Sequence, residues 1–146
     1  MIKVQGNYVF AKPVKEVWES LQSAEVLSDC IPGCENLSQN DESSYDVEIR
    51  IKIAAVTGKY TGTVTITDAS YPDTYTMTVK GRGSGGSIMA SGVLTFGQDE
   101  IGTVVAVEGE AQASGMIARV GQRILGGAAK LLINQFFQGL KEKLDV

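Results

Sequence analysis

Few side chains in this sequence are of the types that carry out chemistry. Histidine, the residue used most often for general acid–base catalysis, is absent. The acidic residues fall mostly on outward strand positions or in turns, whereas Tyr8, Tyr60, Tyr75 and Arg82 are the inward polar candidates. Because a tyrosine combines an apolar ring with a polar hydroxyl, we interpret the three tyrosines as cavity walls rather than catalysts.

The two cysteines, Cys30 and Cys34, flank a turn with C-x₃-C spacing. A zinc or iron–sulfur site would need further thiolates or imidazoles, and the sequence supplies none. Two ordinary thiols are the favoured interpretation, and a redox pair is the alternative. No metal or cofactor is expected.

A glycine-rich run, Gly81-Arg82-Gly83-Ser84-Gly85-Gly86, satisfies the pattern G-x-G-x-x-G. A dinucleotide site needs a helix after the glycines, so that the helix N-terminus meets the pyrophosphate. Here the run is followed by the alternating pattern of a strand. We therefore predict a bulged or flexible bend and not a nucleotide site.

Composition predicts one globular domain over residues 1–146, with 43% hydrophobic and 21% charged residues. The net charge of −4 disfavours general nucleic-acid binding, which needs a basic surface. The sequence has no 18-residue apolar run and no signal-peptide core at its N-terminus, so a cytoplasmic protein is expected.

Alternating apolar and polar residues predict an α+β fold with about seven strands, two short helices after the first strand, and a long terminal helix. Short turns between consecutive strands favour an antiparallel sheet. The predicted strands are Lys3–Ala11, a weak Glu35–Gln39, Tyr45–Ile53, Lys59–Thr67, one around Tyr75–Val79, Ile88–Phe96 and Gly102–Ala113.

The terminal segment, Ser114 to Val146, has the apolar period of one helix with a single buried face. It contains five Lys or Arg and two acids, a balance of +3, so the rest of the chain carries −7. We expect this helix to cover the inner face of a curved sheet and its basic outer face to be the surface for membrane or partner contact. The predicted stripe is Ile117, Val120, Ile124, Ala128, Leu131, Leu132, Phe136, Leu140 and Leu144.

Small residues are frequent on the predicted inner face. Glycine within a strand marks a bend, a bulge or a close approach. It also leaves space for an apolar ligand, and the two interpretations are compatible. The predicted cavity residues are Trp18, Ile49, Ile51, Tyr60, Val64, Met77, Val79, Ala90, Gly92, Val107, Gly109, Ile117, Val120 and Ile124.

Several segments together carry a resemblance to a known family. Ala11-Lys12-Pro13-Val14-Lys15-Glu16-Val17-Trp18 and the turn Ile31-Pro32-Gly33-Cys34 resemble the START-like, helix-grip superfamily (also called SRPBCC or polyketide cyclase-like). That turn, the Gly81–Gly86 run and the ending Asn134-Gln135-Phe136-Phe137 are more narrowly similar to the carbon monoxide dehydrogenase G-subunit family. The resemblance covers essentially the whole chain.

This resemblance implies a seven-stranded antiparallel sheet wrapped on a long C-terminal helix around an apolar cavity. It also implies a non-catalytic role as an accessory to molybdenum hydroxylases of the carbon monoxide dehydrogenase type. The family is associated with recruiting that enzyme to the membrane and with binding quinone-like or other lipophilic molecules. Two alternatives remain, namely a cyclase- or lyase-type enzyme that uses the same cavity and an assembly factor that acts through its surface.

The sequence departs from the family pattern at two places. Ser23 stands where members often have an acidic residue after the first helix. Many members also carry a linker and a membrane-contacting end beyond the domain, whereas this chain stops at Val146. We therefore expect any membrane contact to be peripheral, at the inner face of the cell membrane, and not made by such a tail.

Overall fold

Seven antiparallel strands form one sheet with the order β1-β7-β6-β5-β4-β3-β2 in the computed structural model, which describes residues 2–53 and 56–145. Consecutive strands pair from β2 to β7, and β1 pairs with β7. The chain therefore starts at one edge of the sheet and crosses to the other before it forms the antiparallel meander. The strands are β1 Ile2–Phe10, β2 Cys34–Asp41, β3 Ser44–Ile51, β4 Gly58–Ser70, β5 Thr74–Gly83, β6 Gly86–Gln98 and β7 Thr103–Ser114.

Two short helices, α1 (Val14–Ser20) and α2 (Ala24–Cys30), make the crossing between the two edges. Pro13 occupies the N-cap position of α1, where its missing N–H has no helical partner to lose. Ser23 caps α2, because its side-chain oxygen accepts a hydrogen bond from the Val26 N–H. Ser23 thus has a local structural role.

The terminal segment is not one continuous helix, and this part of the sequence prediction was wrong. A 3₁₀ helix covers Met116–Val120, and the α-helix α3 spans Gln122–Asp145. Gly115 and Gly121 have φ angles of 82° and 94°, which only glycine adopts readily, so both interrupt the helical path. Val146 lies outside the described residues.

The strand pairings confirm the inner face predicted from alternation. Val64 pairs with Val79, Val79 with Ala90, and Ala90 with Ala111, so side chains of these four residues form one row across the sheet. The outward residues are largely Thr, Ser, Lys and Glu. One face is therefore polar and the other needs a cover.

Helix α3 packs against the edge strand β1 and against α2. On one side, α3 lies against β1, where Tyr8 stacks on Phe137 with 4.2 Å between ring centroids. On the other side it lies against α2, where Lys143 forms an ion pair with Asp29. The C-terminal half of α3 is therefore held by both β1 and α2.

The buried apolar residues form two separate clusters. The larger, here the aromatic cluster, contains Phe10, Val14, Val17, Trp18, Leu21, Leu27, Cys30, Tyr45, Val47, Val64, Ile66, Tyr75, Leu94, Phe96, Val105, Phe137 and Leu140. The smaller, here the small cluster, contains Ile2, Val56, Tyr60, Ala111, Ile117, Leu125 and Ala128. The inner face between them is the candidate functional site.

Candidate functional site: the inner face of the sheet

Exposure rises along the inner face from the aromatic cluster toward the middle of the sheet. On β6, Phe96 and Leu94 are buried, whereas Gly92, Ala90 and Ile88 are partly exposed. Three other strands repeat the gradient, from Tyr75 to Met77 and Val79 on β5, from Val105 to Val107 on β7, and from Phe10 to Tyr8 and Gly6 on β1. Apolar surface thus remains accessible between the two clusters.

The predicted cavity residues separate into two sets in the structure. Four are buried within the clusters, with Trp18 and Val64 in the aromatic cluster and Tyr60 and Ile117 in the small cluster. The remainder, apart from Ile124, are partly exposed: Ile49, Ile51, Met77, Val79, Ala90, Gly92, Val107, Gly109 and Val120.

The prediction that Ile124 faces the sheet was wrong. Ile124 and Leu131 are 52% and 43% exposed, while Leu125 beside Ile124 is buried. Gly121 breaks the helical path between Ile117 and α3, and these two members of the predicted stripe fall on the exposed side, whereas Ala128 and Leu140 are buried as predicted.

Three residues on the buried side of α3, Leu125, Ala129 and Ile133, were absent from the predicted stripe, which did include Phe136 and Leu140. They can be found by counting backward from the buried Leu140 in steps of four, three, four and four. That count selects Phe136, Ile133, Ala129 and Leu125, of which only Leu125 is fully buried.

The inner-face glycines occur in facing pairs, and their members differ. A Cβ built on Gly62 or Gly109 would lie within 2.4 Å of a neighbouring backbone oxygen, so these two positions require glycine. Their partners Gly81 and Gly92 have no atom closer than 3.5 Å to such a Cβ. Close backbone approach therefore explains Gly62 and Gly109, whereas a Cβ fits at Gly81 and Gly92.

The three inward tyrosines are held separately. The Tyr8 hydroxyl donates to Asn134 Oδ1 at 2.7 Å, and the Tyr60 hydroxyl donates to the Val56 carbonyl at 2.8 Å. The Tyr75 hydroxyl is buried without a partner among the described residues, and burial raises the pKa of this phenol strongly. Burial also raises the pKa of Tyr8 and Tyr60, so all three stay protonated at neutral pH.

The glycine-rich run forms a tight turn between β5 and β6, in which Gly83 pairs with Gly86. No helix follows the run, so the structure lacks the strand–turn–helix arrangement of a dinucleotide site. Arg82 lies on the exposed, outer face of β5, and its assignment as an inward residue was wrong.

The two cysteines have different environments. Cys30 is 5% exposed, and burial raises the pKa of its thiol, whereas Cys34 is partly exposed. Within residues 2–53 and 56–145, no group of three or more His, Cys, Asp or Glu could hold a metal ion.

Two of the depressions on the surface of the described residues are relevant to binding. One, of about 730 Å³, lies on the outer face of the sheet among polar residues such as Asp46, Thr63 and Arg82. The other, of about 510 Å³, lies between the Pro32–Glu35 turn, the end of β3 and α3, and we call it the edge opening. It reaches Ile51, which is partly exposed and packs against the small cluster.

None of the helices within the described part of the chain is long and apolar enough to cross a membrane. Helix α3, the longest, has 24 residues but presents Arg123, Lys130 and Lys141 on its exposed side.

A curved antiparallel sheet gripping one long C-terminal helix defines the START-like, helix-grip class of proteins. The chain belongs to the CoxG family, the G subunits of carbon monoxide dehydrogenase, whose profile matches residues 6–145. A comparison with curated proteins found no match.

Solved structures agree with this class. A conserved protein from Geobacillus kaustophilus is 35% identical, with a TM-score of 0.93 over 99% of this chain and 95% of the other. A protein from Chromobacterium violaceum shares the fold at 14% identity, with a TM-score of 0.73 over 100% and 99% of the two chains. The di-domain ARO/CYC StfQ from the steffimycin biosynthetic pathway also shares the fold, at 11% identity. The TM-score is 0.74, and the match covers 99% of this chain and 50% of StfQ.

Proposed function

We propose that this protein is a non-catalytic binding protein that holds a lipophilic molecule, quinone-like or lipid, between its sheet and α3. Its role is accessory to a molybdenum hydroxylase of the carbon monoxide dehydrogenase type. Membership in the CoxG family supports the accessory role.

The gradient of exposure on the inner face carries the binding proposal. Met77, Val79, Ala90 and Val107 are apolar and face the interior, yet each stays partly exposed between two fully buried clusters. Removing apolar surface from water is favourable by about 25 cal/mol per Å², so a ligand that covers these side chains stabilises the fold. Ligand sites are typically apolar with few polar groups, and this wall has that composition.

The tyrosine hydroxyls favour binding over catalysis. General acid–base chemistry needs polar groups within hydrogen-bond reach of one another or of the substrate. The Tyr8 hydroxyl donates a hydrogen bond to Asn134, and the Tyr60 hydroxyl donates one to the Val56 carbonyl. Tyr75 is buried in the aromatic cluster. The cyclase alternative therefore has less support than the binding protein.

Native mass spectrometry of the purified protein, followed by solvent extraction, tests the binding proposal. We expect a bound lipophile whose mass is lost on denaturation. The variant Gly92→Leu should exclude it, because a Cβ at Gly92 has room and the longer side chain fills the interior. Gly97→Leu is the matched control on the same strand, since Gly97 is exposed and a Cβ there meets nothing within 4 Å.

Circular dichroism must first show that both variants fold. If the wild-type protein carries no lipophile and takes up none from a mixture of quinones and lipids, the binding proposal fails. Equal loss of ligand in both folded variants would also contradict it, because Gly97 lies outside the interior.

Affinity purification with a molybdenum hydroxylase tests the accessory role. We expect the wild-type protein to retain the hydroxylase. If Gly92→Leu retains it equally while losing the lipophile, the partner is recognised through the surface, and the ligand is not required for assembly. Absence of any complex would contradict the accessory role but not the binding proposal.

A further inference from the structure

The edge opening combines an apolar side with a charged side. Ile51, Ile53 and Leu132 line it toward the interior, and all three are partly buried. Ile51 and Ile53 also pack against the small cluster, and Ile49 on the same face of β3 packs against the aromatic cluster. Apolar surface is thus continuous from the opening to the inner face of the sheet.

The outer side of the opening carries an excess of positive charge. Arg50 and Lys52 line it, and Lys59 lies beside Arg50 on the paired strand β4. Glu35 is the carboxylate that lines the opening; Arg50 Nε lies 3.0 Å and Lys59 Nζ 3.9 Å from its oxygens. Three cations therefore face one carboxylate, a local balance of +2 in a chain whose net charge is −4.

Lys52 is the cation without an ion pair in this group. Among residues 2–53 and 56–145, the ion pairs are Arg50–Glu35, Lys59–Glu35 and Lys143–Asp29. Lys52 is exposed and lies in the sequence between Ile51 and Ile53, which are partly buried and line the same opening. A positive charge beside apolar lining residues matches a ligand that has a negatively charged head and an apolar chain.

We propose that the edge opening admits a single-chain amphiphile with an anionic headgroup, whose chain enters the interior while its carboxylate or phosphate rests against Lys52 and Arg50. This inference rests on the proposed function, because the hydrocarbon chain of the amphiphile needs an interior that holds a ligand. Exposed ion contacts are individually weak. The headgroup therefore sets orientation and discrimination, and chain burial supplies most of the affinity.

Cys34 provides a local reporter for this site. It lines the edge opening and is partly exposed, whereas Cys30 is buried with a raised thiol pKa. Because thiolate is the reactive form, N-ethylmaleimide should modify Cys34 first. A chain lying in the opening should slow that reaction.

Binding to delipidated protein is measured for decanoate and decyl phosphate, which carry the two anionic heads, and for 1-decanol, which has the same chain without charge. Acetate and inorganic phosphate test the heads without a chain. We expect decanoate and decyl phosphate to bind more tightly than 1-decanol and to slow alkylation of Cys34. Acetate and inorganic phosphate should neither bind tightly nor slow alkylation. The tighter of the two amphiphiles identifies the source of the headgroup, carboxylate or phosphate.

The double variant Arg50→Gln/Lys52→Gln should weaken decanoate binding about tenfold and leave 1-decanol unchanged, since two exposed ion contacts are removed. The matched control Lys80→Gln/Arg82→Gln removes two exposed cations from the outer face of β5. It should change neither the binding of decanoate nor that of 1-decanol. Added salt should also weaken the binding of decanoate to the wild-type protein, because salt screens the attraction between the headgroup and the cations.

Four results would overturn this inference. Equal binding of decanoate and 1-decanol shows that the headgroup is not recognised, yet leaves the proposed function standing. Binding of decanoate without protection of Cys34 places the ligand elsewhere. Tight binding of acetate or phosphate alone shows a simple anion site. If no chain-bearing probe of either charge binds, the proposed function fails together with the inference.

Discussion

The two halves of each inner strand differ in what they contribute. Near α1 and α2, the inward side chains are large and fully buried, as with Tyr75, Phe96 and Val105. Toward the middle of the same strands they become smaller and partly exposed, as with Gly92 and Val107. One continuous sheet thus has a fully buried end, here the solid end, and a middle whose inward side chains stay partly exposed.

The facing glycines give the largest expected contrast between these roles. Gly109→Ala places a Cβ 2.4 Å from the Ser91 carbonyl oxygen and should destabilise the protein by about 2–3 kcal/mol. Gly92→Ala meets no atom closer than 3.5 Å and should change stability by less than about 0.5 kcal/mol. Urea denaturation followed by circular dichroism measures both, and equal losses would show that the two glycines have the same structural role.

Val105 and Val107 on β7 give the next largest contrast, in the stability lost when each valine is replaced by alanine. Val105 is 0% exposed, so Val105→Ala should cost about 2 kcal/mol from lost burial and the cavity left behind. Val107 is partly exposed, so Val107→Ala should cost less than about 1 kcal/mol in protein without ligand. A cost at Val107 as large as that at Val105 would mean that the middle of the sheet is as well packed as its end.

Two tyrosines give the smallest contrast, within the solid end itself. Tyr45 and Tyr75 are both 0% exposed, but only the Tyr45 hydroxyl donates a hydrogen bond, to the Gln22 carbonyl. Tyr45→Phe should therefore cost about 1 kcal/mol, whereas Tyr75→Phe removes an unsatisfied group and should be neutral or stabilising. A substantial cost for Tyr75→Phe would indicate that an ordered water satisfies that hydroxyl.

These tyrosines also predict how stability depends on pH. Burial raises the pKa of Tyr8, Tyr45, Tyr60 and Tyr75, and the nearby Tyr45 raises that of Tyr75 further. A raised folded-state pKa leaves stability intact below the unfolded value near 10 and lowers it as pH rises above that value. The loss of stability above pH 10 should be smaller in Tyr75→Phe than in the wild-type protein.

The strand pattern was predictable from the sequence because alternation has an exact period of two. Val47, Ile49, Tyr60, Val64, Met77 and Val79 all face inward as their spacing indicates. The pattern also located the turn at Gly81–Gly86, since strand periodicity resumes after it. Local sequence decides these features, so no distant contact was needed to find them.

The helix phase and the extent of the solid end were not predictable in the same way. The apolar pattern runs through Gly121 as if in one helix, whereas the positive φ angle of Gly121 shows that α3 starts anew at Gln122. Alternation likewise cannot distinguish Val64, which is buried, from Val79 beside it, which is partly exposed. That difference depends on which inner positions α1 and α2 cover, a property of the assembled fold.

The position of Trp18 determines which spectroscopic signal belongs to which half of the molecule. It is the protein's one tryptophan. Its ring centroid lies 5.1 Å from that of Tyr75 and 5.0 Å from that of Phe96, in the solid end. Its emission should shift to the red when the aromatic cluster opens and should change little when a ligand enters the middle of the sheet. Fluorescence can thus follow unfolding while a spectrally distinct ligand reports its own occupancy in the same cuvette.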